Sequence, residues 1–234
     1  LLAGTYVFCD TDLMPLEEIA RAARLHQVLE SRGETVRLLN QPNQTLRRYE
    51  LLKLLHESGV NSFNGYRLDE ELSDLRFPVF VRHERLHKGS LTPVLSNQAE
   101  LDDALAQLEK LFPREELLIV EFLDVSQDGL FRKYGAVRVG DVLIPHHVLF
   151  DRKWHIKLTQ FSDDWMLQEE RDFQNQNPHR DELMQIFEMA NIEYGRIDYA
   201  FYKGKLQVWE INTNPTLLYP REDYSQPQMP AKVW

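Results

Sequence analysis

Arg196-Ile197-Asp198 and, twelve residues after Asp198, Glu210-Ile211-Asn212-Thr213-Asn214-Pro215 gather a guanidinium, two carboxylates and an amide into one short stretch. Side chains alternate along a strand, so Arg196 and Asp198 share one face, and Glu210 and Asn212 share a face of the next strand. The segments Tyr194–Tyr202 and Leu206–Ile211 read as a hairpin across Lys203-Gly204-Lys205. A three-residue loop there sets Asp198 opposite Glu210, whereas a strict two-residue turn pairs Asp198 with Trp209. Carboxylates that converge in this way need a cation, or repulsion raises the pKa of one of them. Hard oxygen donors without His or Cys suit Mg²⁺, which takes one or two carboxylates and completes its shell with phosphates.

The elements that position this hairpin follow from periodicity. Thr5–Cys9 is a short β-type run. Apolar positions from Leu16 to Leu29 mark a helix over Pro15–Glu30, with Thr11 and Asp12 near its start and Gly33 beyond its end. Thr35–Leu39 completes a β-α-β unit. A helix over Leu46–Glu57 stops before Gly59, and Phe77–Val81 is a buried strand entered through Pro78. A polar loop runs from His83 to Pro93. Asn97 and Glu100 form a capping-box pattern for a helix ending near Leu111. Leu117–Phe122, Phe131–Val139 and Val142–Phe150 are strands, the last two joined at Gly140-Asp141. Helices are expected near Trp165–Gln174 and Asp181–Ala190. The sum is a mixed α/β (α+β) body with antiparallel hairpins.

Composition narrows the function classes. A formal net charge of -10 and the lack of a dense Lys/Arg cluster argue against nucleic-acid binding. One cysteine, Cys9, allows no intramolecular disulfide and no multi-thiolate zinc site, which suits a reducing, cytoplasmic compartment. No run of about eighteen apolar residues is present to span a membrane. The opening Leu1-Leu2-Ala3-Gly4 lacks a Met and a basic stretch and reads as a trimmed start, not a signal peptide.

Arg-x-Asp, a hairpin and then Glu-Ile-Asn-Thr-x-Pro resemble the metal-site signature of the ATP-grasp superfamily, and are especially similar to that of D-alanine–D-alanine ligases. The phrase Tyr194–Tyr199 also resembles an uncharacterised bacterial ATP-grasp group. The likeness runs over about Thr35 to Leu217. It implies an ATP-grasp fold with a short preceding β-α-β unit (1–45), a small subdomain (46–122), a catalytic subdomain (123–220) and an irregular tail (221–234). It implies that Asp198 binds one Mg²⁺, that Glu210 bridges two and that Asn212 holds the second. It places Arg196 at the transferred phosphoryl group or at the oxyanion of a tetrahedral intermediate.

For ATP, the resemblance implies phosphate contacts from Arg82, where the family has Lys, and from Lys88 in a loop with one glycine where the family has several. It implies an adenine hinge at Leu118–Leu123, including Glu121, Phe122 and Leu123. It implies phosphate- or substrate-facing cations at Arg132 and Lys133, and a second phosphate lysine at Lys157. Of Arg47, Arg48 and Lys53, on the helix where the family often carries its first nucleotide lysine, two of the three read as surface charges. His146, His147 and His155 read first as satisfied or solvent-facing imidazoles and second as substrate contacts. The implied reaction is activation of a small carboxylate as an acylphosphate, then attack by an amine or other nucleophile. The alternatives are an ATP-grasp kinase acting on a hydroxyl and a nucleotide-binding protein without turnover.

Overall fold

The computed structural model describes residues 2–86, 89–156, 159 and 163–217, and the strands within them fall into three sheets. In the first, β1 (Gly4–Val7) and β2 (Val36–Leu39) pair in parallel and are connected through α1 (Leu16–Glu30). The helix forms where its period predicts, yet only His26 and Leu29 of it are buried, and Leu16, Leu25 and Val28 stay at the surface. Thr11 and Asp12 do not cap it: the N-cap is Pro15, with no side-chain bond. Asp10 adopts a left-handed φ of 58°, and its carbonyl accepts from the amides of Leu13 and Met14. That turn buries Thr11 and Asp12 against Thr213.

The second sheet has the order β3 (Gly65–Arg67), β5 (Leu117–Glu121), β4 (Val79–His83), antiparallel throughout. Every residue of β4 and β5 is buried, as expected for the strand read at Phe77–Val81, although β4 starts at Val79 and carries the burial on through Arg82 and His83. On one face α3 (Gln98–Leu108) packs Leu101 and Leu108 against Val79, Val81, Leu117 and Ile119. On the other, Phe80, Leu118 and Val120 meet Leu52 and Phe63. Asn97 caps α3 by accepting from the Glu100 amide at 3.1 Å, while the Glu100 carboxylate accepts from the Ser96 amide at 2.7 Å. β3 has no counterpart in the sequence reading; three residues are too few for a period to register.

The third sheet is antiparallel in the order β7 (Val142–Asp151), β6 (Phe131–Val139), β8 (Tyr194–Tyr202), β9 (Lys205–Asn212). α4 (Asp164–Gln176) and α5 (Arg180–Met189) cover one face, where Phe173, Leu183 and Phe187 pack on Ile197, Tyr199 and Val208. α2 (Arg48–Glu57) joins the two larger sheets, giving Leu51 and Leu55 to this core and Leu52 to the other. No helix among the described residues is long and apolar enough to cross a membrane.

Candidate active site

The β8–β9 hairpin reaches the expected pairing by an unexpected route. Its turn has two residues, not three: Tyr202 pairs with Lys205, and Lys203 and Gly204 take left-handed φ of 50° and 77°. Such a turn matches the twist of the flanking strands and, at constant register, sets Asp198 against Trp209. The register instead slips between Asp198 and Tyr199, so Tyr199 faces Val208 and Asp198 faces Glu210. Trp209 is the extra residue, a β-bulge that turns the Glu210 side chain away from the helix-covered core.

Asp198 is 4% exposed. Its Oδ1 accepts from Arg196 Nε at 2.8 Å and its Oδ2 from Lys133 Nζ at 3.2 Å. Glu210 Oε2 accepts from Arg48 Nη2 at 2.6 Å and from Arg82 Nη2 at 3.0 Å. Arg82, buried on β4, has its pKa pushed down to about 10 by burial and then by Arg48, while Glu210 pulls it back up. It stays charged near neutrality. Asn212 Oδ1 accepts from the Asn214 amide at 2.9 Å, shaping the exit loop. That loop is held from the amino-terminal unit. Thr213 donates to Asp12 Oδ1 at 2.5 Å and accepts from Thr11 at 3.3 Å, and Asn214 Nδ2 donates to Asp10 Oδ2 at 2.9 Å.

Arg82, Lys133, Arg196, Asp198, Glu210 and Asn212 thus line one cleft of about 440 Å³ between the second and third sheets. Phe80, Trp154, Ile156 and Trp209 supply its apolar walls. Gly89, at φ 83°, packs so closely on the His155 ring that a Cβ there would lie 2.3 Å from Cε1. The left-handed backbone and the adjacent ring both favour glycine at that turn.

Other residues singled out in the sequence lie elsewhere. Glu121 is 3% exposed and its carboxylate is taken by Arg76 and by the Asn64 amide, while its own amide donates to Asn64. The Phe122 amide donates to Pro78. Glu121, Phe122 and Leu123 do not line the cleft; Phe122 packs edge-on against Trp154. Lys88 and Lys157 lie outside the described residues. Of the three cations on α2 or at its start, Arg47 donates to the Met14 carbonyl and Lys53 pairs with Glu70. Arg48 alone of these reaches the site. Trp154 and Trp209 were missed as cleft residues, since nothing local in the sequence distinguishes them from core aromatics.

No protein-family model matches the chain, and no curated protein does. Solved structures do. D-alanine–D-alanine ligase from Bacillus anthracis superposes with a TM-score of 0.52 at 14% identity, over 85% of this chain and 67% of that one. The same enzyme complexed with ATP gives a TM-score of 0.49 at 15% identity, over 82% of this chain and 62% of that one. N5-carboxyaminoimidazole ribonucleotide synthetase from Thermotoga maritima gives 0.49 at 13% identity, over 85% of this chain and 49% of that one. The chain therefore spans between about half and two thirds of the length of these proteins. At such identity the likeness is one of fold, and the fold is ATP-grasp.

Proposed function

We propose that this chain, built on the ATP-grasp fold, is an ATP- and Mg²⁺-dependent ligase that activates a small carboxylate as an acylphosphate for attack by an amine or similar nucleophile. The observation that carries the reading is the charge arrangement of the cleft. Asp198 and Glu210 meet four cations, Arg196, Lys133, Arg48 and Arg82. In a chain of net charge -10 this local excess of positive charge suits the β- and γ-phosphates of a nucleotide. Phosphoryl transfer asks a protein mainly for positioning and charge stabilisation, and these residues offer both.

The donor set fits Mg²⁺. Asp198, Glu210 and Asn212 provide hard oxygens, and no group of three or more His, Cys, Asp or Glu converges among the described residues to form an all-protein cage. Mg²⁺ is commonly held this way, by one or two carboxylates plus substrate phosphates. When bound, it would neutralise charge developing on the transferred phosphoryl group. Each carboxylate accepts from two cations here, Asp198 from Arg196 and Lys133 and Glu210 from Arg48 and Arg82. Arg82 and Lys133, which line the cleft, would be the cations available to nucleotide phosphates, and Arg48 would orient Glu210. Arg196 is placed to stabilise the oxyanion formed when the acylphosphate is attacked.

Adenine would lie against Phe80 and Trp154, near the exit of β5 at Phe122 and Leu123. In this reading 46–122 and 123–220 clasp the nucleotide from two sides, and 1–45 braces the loop after β9. Mg-ATP with a panel of amino acids and small carboxylates tests the reaction. The expected result is acid-dependent ADP release, with a hydroxamate when hydroxylamine is added. A stable phosphate ester on a hydroxyl substrate, with no trappable acyl group, would make the protein a kinase. No ADP with any substrate would leave a nucleotide-binding protein.

A further inference from the structure

The third sheet carries the cleft on one face and a second, smaller pocket on the other. Between the bulge at His146 and their turn, β6 and β7 keep one register, in which Arg138 pairs with Leu143 of the helix-covered core. Cross-strand partners project to one face, so Arg138 points to the side away from Asp198 and Glu210. Its Nε donates to the Gly140 carbonyl at 2.7 Å and its Nη1 to the Ile192 carbonyl at 3.1 Å. Its guanidinium carbon stands 5.9 Å from the centre of the Phe187 ring.

Arg138 is 7% exposed, and among the described residues it makes no ion pair. Its Nη2 donates to nothing there and keeps contact with solvent. A buried charge is ordinarily paired with an opposite one. Arg138 instead forms the floor of a pocket of about 330 Å³, with Gln41, Gln44, Glu188, Asn191 and Glu193 around it. The walls are formed without a ligand: the amides of Gln44 and Thr45 donate to the Gln41 carbonyl, and Asn191 turns the chain with φ 53°. Glu188 and Glu193 are exposed. Glu193 Oε2 accepts from the Asn40 amide at 3.1 Å, and the Glu188 carboxylate has no partner among the described residues. The side-chain amides of Gln41, Gln44 and Asn191 are likewise unbonded there.

A guanidinium on the floor and two carboxylates at the mouth select a ligand by charge order. A phosphate or a nucleotide would meet both glutamates on its way to Arg138, and a simple amine would gain nothing from the floor. A small zwitterion, carboxylate inward and ammonium outward, satisfies both ends. We propose that this pocket binds a free α-amino acid, its carboxylate on Arg138 Nη2 and its ammonium between Glu188 and Glu193, with the three amides free to complete its hydrogen bonds. The site is separate from the cleft and requires nothing of the reaction performed there.

Glycine, the smallest such zwitterion, is the probe, with acetate and methylammonium as its two halves. In ¹H–¹⁵N spectra of the ¹⁵N-labelled chain, glycine should shift the amides of Asn191, Ile192 and Glu193 saturably, with a Kd in the millimolar range. Acetate should bind about tenfold more weakly, the loss of one charge-assisted contact, and methylammonium should leave these amides unmoved. Arg138→Gln should abolish the glycine response. Glu188→Gln, at an exposed position, should weaken glycine and leave acetate as it was. No saturable shift with glycine overturns the proposal, as does a response that survives Arg138→Gln. Acetate binding as tightly as glycine overturns it too, and would mark an adventitious ion only. Should Arg138→Gln fail to fold, Glu188→Gln decides: an unchanged ratio of glycine to acetate affinity overturns the assignment.

Discussion

At the scale of single residues, the cleft places each carboxylate between two cations, and the consequences differ for the two. Arg196 and Asp198 sit two apart on one strand, so Arg196 can reach a group held at Asp198 without moving the backbone. Contacts made only in the transition state affect turnover more than ground-state affinity. Arg196→Ala is therefore expected to lower kcat by roughly 10²–10³-fold, the loss seen for one oxyanion donor, with a smaller change in the KM for ATP. Steady-state kinetics with an accepted acid check this, and a variant changed mainly in KM would remove Arg196 from the chemistry. Glu210 has a second duty, because Arg48 and Arg82 are both buried against it. Glu210→Gln should abolish Mg-ATP turnover and also destabilise the fold. The expected loss is on the order of 2–3 kcal/mol, below the ~3–5 kcal/mol of a fully buried broken pair, because the Glu210 side chain is 20% exposed. Denaturant melts measure it, and an unchanged midpoint would mean that the two guanidiniums do not depend on this carboxylate.

At the scale of elements, two bulges and one asparagine do most of the positioning. Both bulges leave a trace in the sequence as a change of apolar phase. On β9, Leu206 and Val208 are core residues, but the next one is Ile211, three residues on. On β7 the core positions pass from Leu143 to Val148 and Phe150, from odd to even. A period of two cannot change phase without an extra residue, so each shift marks a place where a polar side chain is turned out of the core. Asn40 joins the amino-terminal unit to β8. Its φ is 64°, and its side chain donates to the Phe8 and Tyr194 carbonyls and accepts from the Glu193 and Tyr194 amides. Asn40→Gly keeps the left-handed backbone but loses these four bonds, and should cost about 2–4 kcal/mol at ~1 kcal/mol each. Asn40→Ala should cost ~1 kcal/mol more, for a Cβ in the left-handed region. Urea unfolding of the pair separates the two contributions. Equal losses would show that the backbone conformation relaxes.

At the scale of the whole molecule, burial of neutral histidines links stability to pH. His147 is pushed down to about 3, and His146 and His179 are also lowered, in each case first by burial. Unfolded histidine titrates near 6.5. As pH falls through that value, the unfolded chain takes up protons that the native state refuses, so native stability declines toward the lowered folded values. The urea midpoint should therefore drop between about pH 7 and pH 5, before most carboxylates titrate. A midpoint that is flat or rises on acidification would mean that these rings are accessible to protons in the native state.

The sequence alone determined what is local. Apolar content and turn signals marked the four strands of the third sheet and the apolar parts of β4 and β5, and the spacing from Arg196 to Asn212 put the oxygen donors on two neighbouring strands. Alternation and turn chemistry are properties of a few adjacent residues, so they survive without a fold around them. Tertiary structure decided what depends on contacts far apart in the chain. Arg48 became part of the site, and Arg47 and Lys53 did not, only because α2 packs across β9 with one side chain pointing at Glu210. Thr11 and Asp12 resembled helix-start residues until the turn at Asp10 carried them to Thr213, some two hundred positions away. Glu121 was drawn to Arg76 and Asn64 because a buried carboxylate needs partners, and those partners lie 45 and 57 positions away in the chain. The direction of a buried polar side chain is set by which distant group satisfies it, and that choice exists only in the folded chain.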